Sequence, residues 1–312
     1  MQPMSTSMCS IITGISLQTI PAIRTPGNRF AEHRSVSAAN LENEGVIMAK
    51  MTIKQLREMK GKRQMIVVNA PDVNIASACA LAGVDNLVIG RRQPVEQTLS
   101  ILPQIRAAAP DLLITAVMPM DSCLISDETA IRDALKLMEG GADLIYVTGM
   151  RPDRIAKLTY QHIPCVAHLG LVPYFSNWIG GFRAIGKTAR EAEELYRTAL
   201  ALDDAGAVCA ELECIPHQIA SYISQRVKFL TYSMGSGAGC DGQYLFASDL
   251  LGSHNGHYPR HSIQYDHFFE RSVEVFETFI RDVNAGVYPA EKHVIEMPLQ
   301  EMEAFLQAVD RD

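Results

Sequence analysis

From Thr52 onward, short apolar β-branched runs alternate with segments of helical periodicity about seven times, and this alternation constrains the fold more than any other feature. Gln64–Asn69 contains Met-Ile-Val-Val, a buried-strand pattern, and Asn86–Ile89, Leu112–Val117, Asp143–Val147, Pro164–His168, Ala207–Leu212 and Lys228–Ser233 repeat it. Helical patterns stand between them. Thr52 caps a first helix, Asn74–Ala82 ends at Gly83, and Pro94–Ala109 follows. Asp127 is read as the cap of a helix running to Glu139, and Pro152–Tyr160, Lys187–Ala205, His217–Gln225 and a long final helix Tyr265–Asn284 complete the series. Strands that are apolar on both faces and separated by helices predict a parallel sheet covered on both sides. The number of units and the absence of a composition break predict an α/β fold, a single-domain (β/α)₈ TIM barrel, with a doubly wound sheet as the alternative.

Residues 1–48 break the pattern: they carry Ser, Thr and Pro with little periodicity. They are expected to be a disordered N-terminal extension, with Arg24, Arg29 and Arg34 among serines leaving an organelle-transit segment open. Residues 49–312 are assigned to the barrel, beginning at Met-Ala-Lys-Met-Thr-Ile. A net charge of −7 argues against a nucleic-acid binder, and no apolar run reaches the roughly 18 residues of a membrane helix. Seven cysteines without metal-type spacing suggest a reduced, cytoplasmic setting.

Catalytic groups in such barrels lie at the C-terminal ends of strands. Glu213 follows the strand Ala207–Leu212, and period-2 alternation puts Glu211 on the same face. A carboxylate there can serve as a general base beside a carbonyl, or stand as an ordinary rim residue. His168 ends its strand and reads equally as a ligand contact or a structural histidine. Gly235, Gly237 and Gly239 make a backbone-exposing loop without dinucleotide-binding spacing.

Three segments together resemble the ketopantoate hydroxymethyltransferase family of the phosphoenolpyruvate/pyruvate barrel superfamily. They are Ala167-His168-Leu169-Gly170-Leu171-Val172-Pro173, Leu212-Glu213-Cys214-Ile215-Pro216, and the glycine run followed by Asp241-Gly242-Gln243 with Asp249. The likeness spans about Thr52–Glu291 and is strongest after His162. It implies transfer of a hydroxymethyl group from methylenetetrahydrofolate to 3-methyl-2-oxobutanoate in pantothenate biosynthesis, with Glu213 as the base that makes the enolate. It places His168, Arg91, Asp72, Ser236 and Tyr146 around a small 2-oxo acid, and it implies a homo-oligomer, a ring in this family; the apolar face of the helix Tyr265–Asn284 would pack either against a neighbour in such a ring or on its own barrel.

The resemblance also exposes departures. The family holds Mg²⁺ through two aspartates, whose positions here are Arg91 in Ile89-Gly90-Arg91-Arg92 and Val117 in Ala116-Val117-Met118-Pro119. The family's Lys-Ile-Glu-Gly-Gly becomes Tyr146-Val147-Thr148-Gly149-Met150. Mg²⁺ needs hard oxygen ligands in octahedral array, so this substitution removes the site as the family builds it, and no metal ligand is assigned. Asp121 could compensate in part, whereas Asp72 alone could not make a site. Arg91 reads either as a guanidinium that grips a 2-oxo carboxylate and partly replaces the cation, or as a rim arginine filling a shortened loop. Arg92 is expected on the opposite face. Two further functions stay open: a metal-independent lyase or isomerase of secondary metabolism on another small carboxylate, and a non-catalytic homologue.

Overall fold

The computed structural model describes residues 50–309, so the expected extension 1–48 lies outside the described residues. Eight parallel strands close into a barrel in sequence order. They are β1 (Met65–Asn69), β2 (Asn86–Ile89), β3 (Leu113–Met118), β4 (Leu144–Val147), β5 (Cys165–Gly170), β6 (Cys209–Glu213), β7 (Leu230–Met234) and β8 (Gly242–Phe246). Closure is made by β8 on β1, with Val67 opposite Tyr244 and Asn69 opposite Phe246. The helices are α1 (Ile53–Arg57), α2 (Val73–Ala82), α3 (Val95–Ala108), α4 (Met120–Leu124), α5 (Asp127–Glu139), α6 (Pro152–Tyr160), α7 (Ala189–Asp204), α8 (His217–Ser224), α9 (Ala247–Leu251), α10 (Phe268–Asn284) and α11 (Leu299–Val309). The predicted barrel is therefore observed, and the doubly wound alternative is excluded by the β1–β8 pairing.

The two faces of each strand bury different things. Ile114, Ala116 and Met118 of β3, Ile145 and Val147 of β4, and Ala210 and Leu212 of β6 point outward into the layer shared with the helices. Leu113, Val117, Leu144, Tyr146, Val166, Cys209 and Tyr244 fill the barrel interior. A barrel of eight strands is just wide enough for side chains to fill it, so anything polar on the inward face is sealed in. That is the constraint on His168, Glu211 and Glu213, which are all buried.

Local chemistry explains the helix starts. Thr52 accepts from the Gln55 amide and Gln55 returns the bond, a capping box. Ser126 rather than Asp127 caps α5: its side chain accepts from the Thr129 amide, while Asp127 and Glu128 sit in the first turn, where the helix dipole favours them. The predicted final helix starts three residues later than expected, at Phe268, and α11 follows it. Six cysteines are free among the described residues, and no helix there is long and apolar enough to cross a membrane.

Candidate active site

The C-terminal end of β6 is held by its neighbours. Gly170 on β5 has a φ of 94°, and a Cβ there would stand 2.2 Å from the Glu213 carbonyl oxygen, so only glycine lets the two strand ends approach this closely. The same carbonyl accepts from the Leu171 amide at 2.9 Å. From the other side, the Ser236 hydroxyl donates to the Leu212 carbonyl at 2.7 Å and accepts from the Ile215 amide at 2.9 Å. Between these bonds Cys214 adopts a φ of 53°, a left-handed conformation rare for a side chain of its type. Strain of this kind persists only where the surroundings over-determine it, and it turns the chain directly after Glu213.

Glu213 points into the barrel beside His168 and Glu211. His168 Nε2 bonds the Leu171 carbonyl at 2.8 Å and lies 3.2 Å from Glu213 Oε2, and both that oxygen and His168 Nδ1 are left buried without a hydrogen-bond partner. Burial disfavours the imidazolium, but Glu211 and Glu213 outweigh it and hold His168 above the ordinary histidine range. Two residues before Glu213 on the same strand, Glu211 accepts at Oε2 from the Tyr146 hydroxyl at 2.5 Å. Burial, then Glu211, pushes that phenol well up, so it remains a donor. Burial also raises Glu211 itself, against the opposing pull of Arg91 and His168. Glu211 Oε1 and the Tyr244 hydroxyl are likewise buried without partners.

Arg91 reaches into this cluster. β2 ends at Ile89, and Gly90, with a φ of 78°, turns the chain; a Cβ there would strike Thr98 at 2.5 Å. Arg91 then places its guanidinium 3.6 Å from Glu211 Oε2 and 3.8 Å from Glu213 Oε2, with the Phe246 ring 4.9 Å away on its face. Its side chain is only 18% exposed, so it lies inside the opening and not on the rim. Burial opposes the cation, but the Glu211 carboxylate leads the groups that outweigh it, and Arg91 stays charged. Arg92 departs from expectation. The strand geometry does not continue past Ile89, Arg92 takes a φ of 61°, and it lines the same opening as Arg91 rather than the opposite face.

Two connected spaces meet at this point. A small one is lined by Arg91, Val117, Tyr146, Thr148, His168 and Tyr174. A groove of about 1630 Å³ runs outward over Glu213, Cys214, Arg183, Lys187, His217 and Arg260. Of the residues predicted around the substrate, Glu213, His168, Arg91 and Tyr146 converge. Asp72 and Ser236 do not line either space. Asp72 is exposed and caps α2 by accepting from the Ile75 amide, and Ser236 is buried as the strand-end staple just described. Sequence reasoning set Glu211 on the right face but gave it no part. It missed Phe246, and the groove with it. A charged residue within an otherwise apolar inward-facing pattern was the available signal for Glu211.

The implied Mg²⁺ can be tested against these residues. His168, Glu211 and Glu213 offer one ligand atom each within 4.8 Å of one another, a grouping that could in principle hold an ion. The Arg91 guanidinium, however, already stands against both carboxylates, and Val117 contributes no donor to the opening. Asp121 is exposed and accepts from the neighbouring Ser122 amide, so it does not compensate. The residues do not fit an octahedral Mg²⁺ site.

Comparison with known proteins agrees with this architecture. Residues 50–291 match the family model described as ketopantoate hydroxymethyltransferase. The chain is 34% identical over 258 residues to a 3-methyl-2-oxobutanoate hydroxymethyltransferase of Thermotoga sp. strain RQ2, covering 78% of this chain and 96% of the relative. It is 30% identical over 302 residues to the enzyme of that name from Emericella nidulans, covering 90% and 85%. A solved 2,3-dimethylmalate lyase, a PEP mutase/isocitrate lyase superfamily member, matches with a TM-score of 0.50 at 15% identity, over 82% of this chain and 98% of its own, a likeness of fold alone. A closed barrel with His168 and Glu213 at its mouth, matched along nearly its full length, belongs to the ketopantoate hydroxymethyltransferase family.

Proposed function

We propose that the protein carries out aldol-type carbon–carbon bond formation on a small 2-oxo acid, with 3-methyl-2-oxobutanoate as acceptor and methylenetetrahydrofolate as donor of the one-carbon unit. The observation that carries this reading is the position of Glu213. It is a buried carboxylate at the C-terminal end of a barrel strand, 3.2 Å from a histidine and open to a groove large enough for a second, bulky reactant. Glu213 takes the proton from C3 of the 2-oxo acid. Water adds to the methylene unit of the folate, both C–N bonds break with water's protons passing to the folate nitrogens, and tetrahydrofolate and formaldehyde result. The enolate C3 then attacks the formaldehyde carbon, forming the new C–C bond, and the alkoxide takes up the proton held by Glu213. His168 Nδ1, buried without a protein partner beside the opening, is available to a polar atom of the acceptor. The relatives named 3-methyl-2-oxobutanoate hydroxymethyltransferase support the choice of substrate. The lyase and non-catalytic alternatives gain no support from the site.

The exposed apolar face of α10 supports a homo-oligomer, since Phe268, Val275, Phe276 and Phe279 are all more than half exposed. The test of the reaction is direct. Incubation with 3-methyl-2-oxobutanoate and methylenetetrahydrofolate should yield the hydroxymethylated acid by mass spectrometry. No product above a heat-inactivated control would refute the reading.

A further inference from the structure

We infer that Glu211 and Tyr146 hold the Arg91 guanidinium as the fixed cation of the reaction, so that Arg91, not a divalent metal, binds the 2-oxo carboxylate and stabilises the enolate. This rests on the 2-oxo acid reading above. Glu211 is then a positioning residue: it acts through Arg91 and Tyr146.

The geometry supports each link. At 3.6 and 3.8 Å the contacts from Arg91 to Glu211 and Glu213 are ion pairs longer than hydrogen bonds. The carboxylates therefore fix the charge without consuming its N–H donors, which remain for a ligand. The Phe246 ring lies 4.9 Å from the guanidinium carbon and covers one face of the group, a cation–π contact that helps to hold it in place. Glu211 is almost wholly sealed, with a side-chain exposure of 1%, and a buried charge is costly unless paired. Its partners are the Tyr146 hydroxyl at 2.5 Å and Arg91. Val117, on the same opening as Arg91, is apolar and offers no ligand atom to a cation.

The step balances without a metal. The proton on C3 leaves for Glu213, the C–H electron pair moves into the enolate, and negative charge gathers on the 2-oxo oxygen. Arg91 N–H groups donate to that oxygen and to the neighbouring carboxylate, a preorganised charge partner of the kind that stabilises developing anions.

Isothermal titration with 3-methyl-2-oxobutanoate, in excess EDTA and again in excess Mg²⁺, tests this. The wild type should bind equally in both media. Glu211→Gln should weaken binding by about tenfold in EDTA. Tyr146→Phe removes one hydroxyl only; it should move affinity in the same direction, and it stands in if the glutamine variant does not fold. Binding that appears only with Mg²⁺ would overturn the inference and leave the 2-oxo acid reading standing. Wild-type affinity in both variants would overturn it as well. Absence of binding in both media would refute the 2-oxo acid reading itself, and the inference with it.

Discussion

Glu213 and Glu211 lie two residues apart on one strand, yet they should fail differently when neutralised. Glu213→Gln removes the proton acceptor while Arg91 keeps Glu211 as its counter-ion, so turnover should fall about 10²–10⁴-fold with the fold intact, read from steady-state rates and thermal melts together. Comparable losses of rate and of melting temperature would mean that Glu213 is a structural residue. Glu211→Gln should instead move a neighbour. His168 is held high by Glu211 first among the carboxylates, so removing that charge must lower the histidine's pKa, which an NMR titration of its ring signals reads directly. The sign also bears on stability. A histidine raised in the folded state contributes stability at pH below its unfolded value and loses it as pH rises through the folded value, and the Gln variant should show less of that loss. Arg91 needs care at this scale, because Arg91→Ala strands two buried carboxylates and should cost about 3–5 kcal/mol of stability. Arg91→Lys keeps the charge but loses the planar fork, which makes it the informative variant.

At the scale of elements, the barrel is pinned by a few buried polar staples that the strand patterns did not announce. Asp241, just before β8, accepts from the Thr231 amide and hydroxyl at 2.9 Å each, from the Gly61 amide at 3.1 Å and from Lys60 at 2.7 Å, tying the α1–β1 connection, β7 and β8 together. Burial opposes its charge, but Lys60 and Thr231 outweigh that, and the carboxyl is held below the usual range. A depressed carboxylate contributes stability above its unfolded pKa and loses it as pH falls through the folded one. Asp241→Asn should therefore destabilise at neutral pH by about 1.5–3 kcal/mol, measured by urea titration, and the difference should shrink in acid. Equal stability of the two proteins at neutral pH would contradict the staple. Seven strands were legible because β-branched apolar runs repeat between helix signals. β8 was not, because Gly242-Gln243-Tyr244-Leu245-Phe246 opens with two weak strand formers and its burial is incomplete. α4 and α9, five residues each, lack the side-chain cap by which Thr52 marks the equally short α1. α10 was visible because seventeen residues of amphipathic pattern cannot be mistaken for a loop.

For the whole molecule, α10 and α11 present more apolar surface than a solitary barrel needs. Phe276 is 64% exposed, Ile280 58% and Leu299 82%. Faces this apolar mark interaction surfaces, and a second copy of the chain is the occupant proposed here. Light scattering at micromolar concentration should report an oligomer, and a monomer would contradict that. The candidate site was partly legible at this scale, since strand-end placement singled out Glu213 and His168. The depth of Arg91 was not, because Gly90 and Arg92 turn the chain through left-handed conformations that no strand pattern predicts. The central claim is that Glu213 at this mouth makes an enolate without a metal. Hydrogen–deuterium exchange at C3 of 3-methyl-2-oxobutanoate in D₂O, followed by NMR in excess EDTA, tests it most directly. The wild type should exchange the C3 hydrogen at the same rate as in Mg²⁺, and Glu213→Gln should not exchange it above the uncatalysed rate. Exchange that vanishes in EDTA, or that survives unchanged in the Gln variant, would contradict the account.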